Sequence, residues 1–305
     1  MKKITGSGII PPLVTPINED ESINYDQLGK VIDHVVEGGV DAIFIMGTTG
    51  EYPRFSFEAR RKATEEAVKM AAGRIPVYAG VGDAGLSMVK RHIEYAEKAG
   101  ADVIVAGLPY YFPVNNDDDA YAYFHAVCTS TSLPVMLYNI PSTTAASISL
   151  DVIERLFPLK NVIGIKDSSG DAERLDATIK RFKGRDKDFA VSIGSEELSF
   201  EGLQKGADGV VPSMANPFPK LWADIYRSAL AKDIDRLKTL CALNDKWGED
   251  NQYSSAWTAQ MVWRKKAMFH MGICNDFCTA PYLPVDGKAD KVVRETVGQY
   301  RKMYS

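Results

Sequence analysis

The chain has 305 residues, 45% of them apolar and 25% charged, with a formal net charge of −4. This is the composition of a globular protein long enough to bury a large core, and its acidic balance leaves no basic stripe for nucleic acid. The four cysteines (Cys128, Cys241, Cys274, Cys278) lack zinc spacing, prolines interrupt the N-terminal "MKKITGSGIIPPLVTPI", and no apolar run is long enough to cross a membrane. The expectation is a cytoplasmic protein without a signal peptide or a metal.

In chain order, β-branched runs at 9–15, 42–46, 76–80, 103–106, 135–139, 162–166, 190–193 and 209–211 read as strands. Helical patterns such as "YDQLGKVIDHVVEGG" and "SMVKRHIEYAEKAG" lie between them. Strand and helix in strict alternation imply parallel pairing through right-handed crossovers. "EGGVDAIFIMG", "KAGADVIVAG" and "QKGADGVVPS" repeat one local pattern: a glycine at a helix end, then Val/Ala-Asp or Ala-Asp, then a strand. Eight such units close a TIM barrel, and a doubly wound open sheet is the alternative. No G-x-G-x-x-G follows the first strand, which removes the main sign of a dinucleotide fold. After about residue 230 helices follow one another without strands, so the expected organisation is a barrel over 1–229 and a helical appendix over 230–305.

Three strand ends carry chemistry. After the second strand, Gly47-Thr48-Thr49-Gly50-Glu51 combines glycines that let the backbone approach a ligand with hydroxyl and N–H donors suited to a small carboxylate. An ordinary capped turn explains the same residues. Tyr138 ends the fifth strand, where a phenol polarised by Thr48 can relay protons; the plainer reading is one structural hydrogen bond. Lys166 ends the sixth strand. Alternation along that strand points Lys166 into the barrel with Gly164 and Val162, and sends Ile163 and Ile165 toward the helices. A buried lysine at the C-terminal end of a barrel strand is suited to attack a carbonyl carbon and form a Schiff base. The competing reading has Lys166 reaching solvent or pairing with Asp167. The histidines His34, His92, His125 and His270 show no metal spacing, which disfavours a metal-dependent aldolase. Asp117-Asp118-Asp119 reads as a solvated helix start, and the aromatic stripe of "WTAQMVWRKKAMF" as core or subunit interface.

Gly-Thr-Thr-Gly-Glu, Tyr-Asn-x-Pro and Gly-x-Lys, in this order, together with "PYY" at 109–111 and the C-terminal helices, resemble the dihydrodipicolinate synthase / N-acetylneuraminate lyase family of class I pyruvate aldolases. The resemblance covers nearly the whole chain. It implies that Lys166 forms a Schiff base with pyruvate or another 2-oxo acid and that Tyr138 relays protons. Thr48, Thr49 and their glycine neighbours would bind the carboxylate, and no cofactor would be used. Tyr111 is similar to a tyrosine that family tetramers insert into a neighbouring subunit, which implies a homotetramer.

Two places depart from the synthase pattern, Thr143 and Tyr52-Pro53. Thr143 stands where that enzyme has an arginine for its aldehyde's carboxylate, and threonine cannot form a bidentate clamp. "GE-aromatic-Pro" at 50–53 looks more like sugar-acid and hydroxy-oxoglutarate aldolases, and "KDSSGD" at 166–171 resembles the motif of the N-acetylneuraminate lyase. By the same resemblance Ser168, Glu196, Glu197 and Ser213 would hold a hydroxylated tail. Ser168 with Asp171 also fits a capping box, and Glu196 and Glu197 also fit the first turn of a helix. The expected reaction is cleavage or formation of a 2-keto-3-deoxy sugar acid or N-acetylneuraminate-like substrate. Dihydrodipicolinate synthase proper, a Schiff-base sugar-acid dehydratase and a non-catalytic 2-oxo acid sensor stand as alternatives.

Overall fold

The computed structural model describes residues 6–185, 188–251 and 258–305, with the backbone alone at 258–260. The first five residues, and 255–257 at the start of an expected helix, lie outside the described residues. Eight strands form one sheet: β1 (Gly8–Ile9), β2 (Ile43–Ile45), β3 (Val77–Gly80), β4 (Val103–Gly107), β5 (Val135–Asn139), β6 (Val162–Asp167), β7 (Ala190–Ile193) and β8 (Gly209–Val210). All neighbours pair in parallel, in the order β1-β8-β7-β6-β5-β4-β3-β2. A parallel bridge between Pro12 and Phe44, with Phe44 N–H donating to the Pro11 carbonyl, joins the two ends. The sheet is therefore a TIM barrel and not an open doubly wound sheet. The first strand, expected over 9–15, is only two residues long because Pro11 and Pro12 bring no N–H to the ladder.

Helices α1 (Tyr25–Glu37), α2 (Phe57–Ala71), α3 (Leu86–Ala99), α4 (Asp117–Cys128), α5 (Pro141–Thr144), α6 (Leu150–Leu156), α7 (Ala172–Phe182) and α8 (Ser199–Gln204) connect the strands. They are followed by α9 (Pro219–Leu230), α10 (Ile234–Asp250), α11 (Thr258–His270) and α12 (Gly287–Tyr304). No helix among the described residues is long and apolar enough to cross a membrane.

The recurrent Gly-x-Asp pattern has a physical cause. Gly39, Gly100 and Gly206 take left-handed φ values of 88°, 86° and 96°, which end the preceding helix without a Cβ penalty. The aspartate two residues on then accepts from the preceding strand in the sheet. Asp41 Oδ2 takes Ile9 N–H at 3.1 Å, Asp102 Oδ2 takes Val77 N–H at 2.8 Å and Asp208 Oδ2 takes Val191 N–H at 3.0 Å. Each repeat thus fastens the foot of one strand to the foot of its neighbour.

Inside the barrel Phe44, Tyr78, Val105, Met136 and Tyr138 form a separate apolar layer, while the outer faces of the strands pack on the helices. Strand β6 corrects one expectation. Val162 packs outward with the helices and Ile163 faces the interior layer, the reverse of simple alternation. The cause is a bulge: Val135 pairs with Val162, but the next residue, Met136, pairs with Gly164. The extra residue shifts the face of everything before it. Beyond the bulge the alternation is the expected one, Ile165 pointing outward and Lys166 inward.

Candidate active site

Lys166 and Tyr138 are register partners on neighbouring strands, so their side chains leave the sheet side by side. Both are buried, at 4% and 7% exposure. The Lys166 Nζ lies 4.0 Å from the centre of the Tyr138 ring and 5.4 Å from that of Phe44. The pairing with Asp167 does not form. Asp167 turns to the outer side, where it accepts from Arg174 Nε at 2.7 Å, Asn139 Nδ2 at 3.1 Å and the Ser169 hydroxyl at 2.5 Å. Among the described residues no carboxylate forms an ion pair with Lys166. Gly194 makes room for the lysine: a Cβ there would stand 2.9 Å from Lys166 Cε and 1.9 Å from Ser168 Oγ.

The Tyr138 hydroxyl lies 3.2 Å from Thr48 Oγ1. Thr48 opens a single 3-10 turn, Thr48–Gly50, that starts from the extended Gly47. Gly50 is packed close, its carbonyl accepting from Thr15 Oγ1 at 2.8 Å. Glu51 ends the turn with a left-handed φ of 59°, a conformation that costs a residue with a Cβ and must be held by its surroundings. It is held from the C-terminal region, by α11 and the loop that follows it. Glu51 Oε2 accepts from Thr279 N–H at 3.1 Å and Oγ1 at 2.7 Å, and Lys265 Nζ on α11 lies 2.5 Å from Oε1, with both charged side chains fully buried.

Thr48, Thr49, Tyr138 and Lys166 open into one cavity of about 420 Å³, and Ser168, Glu196, Glu197 and Ser213 line it as well. The capping-box reading of Ser168 does not hold. Asp171 is the N-cap of α7, accepting from Arg174 N–H at 3.0 Å, and Ser168 Oγ has no hydrogen-bond partner among the described residues. Glu196 and Glu197 do begin a short 3-10 helix, Glu196–Leu198, yet Glu196 is turned inward. Its Oε1 accepts from Ser213 Oγ at 2.6 Å and Met214 N–H at 3.0 Å, with Arg264 Nη2 at 3.4 Å. Thr143 lies elsewhere, in an adjoining cavity of about 210 Å³ that shares Thr48 with the first and also holds Tyr110 and Arg54. Tyr111 does not enter the cavity of its own chain. It is 82% exposed beside Phe112, on a left-handed φ of 79°.

Sequence reasoning missed the contribution of α10 and α11: Asn244, Asp245, Gly248, Asn251, Trp263 and Arg264 also line the main cavity. A signal existed. Asn244, Gly248 and Asn251 recur at i, i+4 and i+7, a polar stripe on a face that packing would otherwise make apolar. Burial, then Glu196, Glu197 and Glu249, hold the Asp245 carboxyl above its ordinary range. This end of the cavity is rich in hydrogen-bond acceptors.

The whole chain has recognisable relatives. Residues 5–300 match the model of the dihydrodipicolinate synthetase family. The chain belongs to that family. Its relatives include the 4-hydroxy-tetrahydrodipicolinate synthase of Neisseria gonorrhoeae, 34% identical over 94% of this chain and 96% of that protein. The enzyme of the same name from Nitrosospira multiformis is 31% identical over 98% and 97% of the two chains. Among solved structures, dihydrodipicolinate synthase from Aquifex aeolicus superposes with a TM-score of 0.89 at 29% identity, covering 97% of this chain and 98% of that one. YagE, a prophage protein of the family from E. coli K12 solved in complex with pyruvate, gives 0.90 at 26% identity, with 97% and 98% coverage. Family membership makes the chain a carbon–carbon lyase of the class I type, which works through a lysine Schiff base with pyruvate and not through a metal.

Proposed function

We propose that this family member makes or breaks a carbon–carbon bond between pyruvate and a neutral polyhydroxylated aldehyde, so that its substrate is a 2-keto-3-deoxy sugar acid or a close analogue. In the cleavage direction the Lys166 amine adds to the 2-oxo carbon, and water leaves to give the iminium. Tyr138, oriented by Thr48, takes the proton from the 4-hydroxyl as the C3–C4 bond breaks, the aldehyde departs, and an enamine of pyruvate remains on the lysine. Protonation at C3 and hydrolysis release pyruvate. Thr48, Thr49 and the backbone of Gly47–Gly50 hold the carboxylate, and Ser168, Glu196, Glu197 and Ser213 face the tail. Tyr111, exposed on its own chain, enters the site of a neighbouring copy in a homotetramer.

One observation carries this reading: Lys166 is buried without a carboxylate partner among the described residues, with its nitrogen over Tyr138 and the Tyr138 hydroxyl on Thr48. The acidic lining supports a tail that donates hydrogen bonds and carries neither phosphate nor carboxylate. Dihydrodipicolinate synthase activity is the second reading. The names of the relatives favour it, and so does Arg264, an arginine in the main cavity where Thr143 supplies none. Borohydride reduction in the presence of pyruvate, followed by peptide mass spectrometry, tests the chemistry. A reduced adduct on Lys166, absent from Lys166→Ala, is expected, and a folded protein that gives none refutes it. Comparing kcat/KM for polyhydroxy aldehydes with that for aspartate semialdehyde then separates the two substrates, and a preference for the semialdehyde overturns the first reading.

A further inference from the structure

We infer that α10 is the specificity element for the distal end of the aldehyde, reading its outer hydroxyls through Asn244 and Asn251. The inference rests on the Schiff-base reading above and extends it to residues outside the barrel strands. Both asparagines line the cavity, at 3% and 0% exposure, and the Oδ1 of each is buried without a hydrogen-bond partner among the described residues. A buried amide oxygen left unpaired is costly, and native structures keep one where a ligand or water supplies the donor. The donor side of Asn251 is fully engaged, and that of Asn244 makes one longer contact. Asn251 Nδ2 donates to the Trp247 carbonyl at 2.8 Å and to Thr296 Oγ1 at 3.0 Å, which fixes which way its amide faces. Asn244 Nδ2 donates to Asp245 Oδ1 at 3.4 Å. What α10 itself offers a ligand is acceptors, two amide oxygens with the carboxylates of Asp245 and Glu249 beside them, while the cation of the same cavity, Arg264 on α11, lies 3.4 Å from Glu196 Oε1.

The acceptors of this wall favour a tail that brings donors. Hydroxyls satisfy them, whereas a terminal phosphate or carboxylate brings none and meets like charge. Gly248 lies between the asparagines on the same wall, and a Cβ built there meets nothing within 4 Å. This missing side chain leaves space for the outer carbons of the tail. The selective feature of the substrate is therefore length with hydroxylation: a longer hydroxylated aldehyde is expected to gain from α10 and a two-carbon aldehyde to gain least.

The test compares kcat/KM for a neutral tetrose or pentose aldehyde with that for glycolaldehyde, each with pyruvate, within a single preparation, so that the ratio is independent of the fraction folded. Asn244→Leu removes an acceptor and is expected to lower the long-to-short ratio at least tenfold. Gly248→Leu fills the open space from a position where the helix gains propensity, and is expected to lower the ratio further. A ratio unchanged in both variants overturns the inference, as does a parent enzyme that prefers an aldehyde with a terminal carboxylate or phosphate. Pyruvate trapping on the parent separates the two claims. Without an adduct the Schiff-base reading falls. With an adduct and an unchanged ratio, the role of α10 falls alone.

Discussion

Replacing Lys265 by methionine removes the only cation that the structure pairs with Glu51 among the described residues, while keeping an unbranched side chain of similar length. Both charged groups are fully buried and 2.5 Å apart, so the change strands a carboxylate in the protein interior. Breaking such a pair from one side costs about 3–5 kcal/mol. Two further facts set the position within that range. Thr279 continues to donate twice to Glu51 Oε2, which offsets part of the loss, whereas the bond from Lys265 Nζ to the Phe277 carbonyl at 2.9 Å is lost as well. A value of about 3 kcal/mol follows. At about 2.1 cal/mol/K per residue the midpoint entropy of this chain is roughly 640 cal/mol/K, so Tm falls by about 5 °C. Lys265→Met with Glu51→Gln leaves no stranded charge and is expected to recover at least half of the loss. Differential scanning calorimetry of the parent, both single variants and the double variant gives the coupling. The same variants report on the site, because Glu51 anchors the turn carrying Thr48 and Thr49: the KM for pyruvate rises in Lys265→Met and partly returns in the double variant. If Lys265→Met melts within about 1 °C of the parent, or if the double variant loses the sum of the two singles, the clamp is not what holds the turn.

Thr48→Val removes the oxygen 3.2 Å from the Tyr138 hydroxyl, and kcat should fall roughly 100-fold or more in a coupled aldolase assay. Gly194→Ala places a methyl group against Lys166 Cε and Ser168 Oγ; it should destabilise the fold by about 1–3 kcal/mol and slow borohydride-trapped adduct formation at least tenfold. His92 is pushed down to about 4, first by burial and then by the Arg60 guanidinium. The folded state therefore refuses a proton that the unfolded state accepts below about 6.5. This contribution to stability is complete above pH 6.5 and is lost as pH falls toward 4. Urea unfolding across that window should show the decline, with a shallower slope in His92→Gln. Burial pushes the thiols of Cys241, Cys274 and Cys278 up to about 12, so at pH 8 a disulfide reagent should label the native chain far more slowly than the chain in denaturant.

Much of this arrangement was legible because strand and helix periods are local. Seven of the eight strands lie where β-branched runs predict them, the first being cut to Gly8–Ile9 by the prolines that follow, and the alternation that points Lys166 inward holds at the strand's C-terminal end. It fails at Val162 and Ile163, where the bulge depends on the register against β5, a relation between strands that periodicity within one strand does not contain. The side-by-side placement of Tyr138 and Lys166 was accessible from barrel topology alone, since residues ending consecutive strands become neighbours. Ser168 and Asp171 show the opposite case. Both fit a capping motif on paper, and only the backbone decides that Asp171 caps α7 while Ser168 faces the cavity.

The C-terminal helices were the hardest part to read, for a physical reason. Glu51 meets Thr279 across 228 positions of chain and Arg264 meets Glu196 across 68, so neither contact leaves a local pattern. In the barrel, chemistry is confined to strand ends, and a lysine or tyrosine there stands out against an apolar run. On α10 a polar residue is unremarkable, because most of a surface helix is polar. Only Asn244, with Gly248 and the C-cap Asn251 on the same side, departs from that expectation: the two asparagines are polar where the chain is buried. The same reasoning explains why the two parts serve different ends. A strand-end lysine is fixed in place by hydrogen bonds on both sides of its strand, which suits a nucleophile whose geometry must not vary. A helix wall can exchange side chains without disturbing the sheet, so changes of substrate within this fold are expected to concentrate on α10 and α11, while Lys166, Tyr138 and Thr48 stay put.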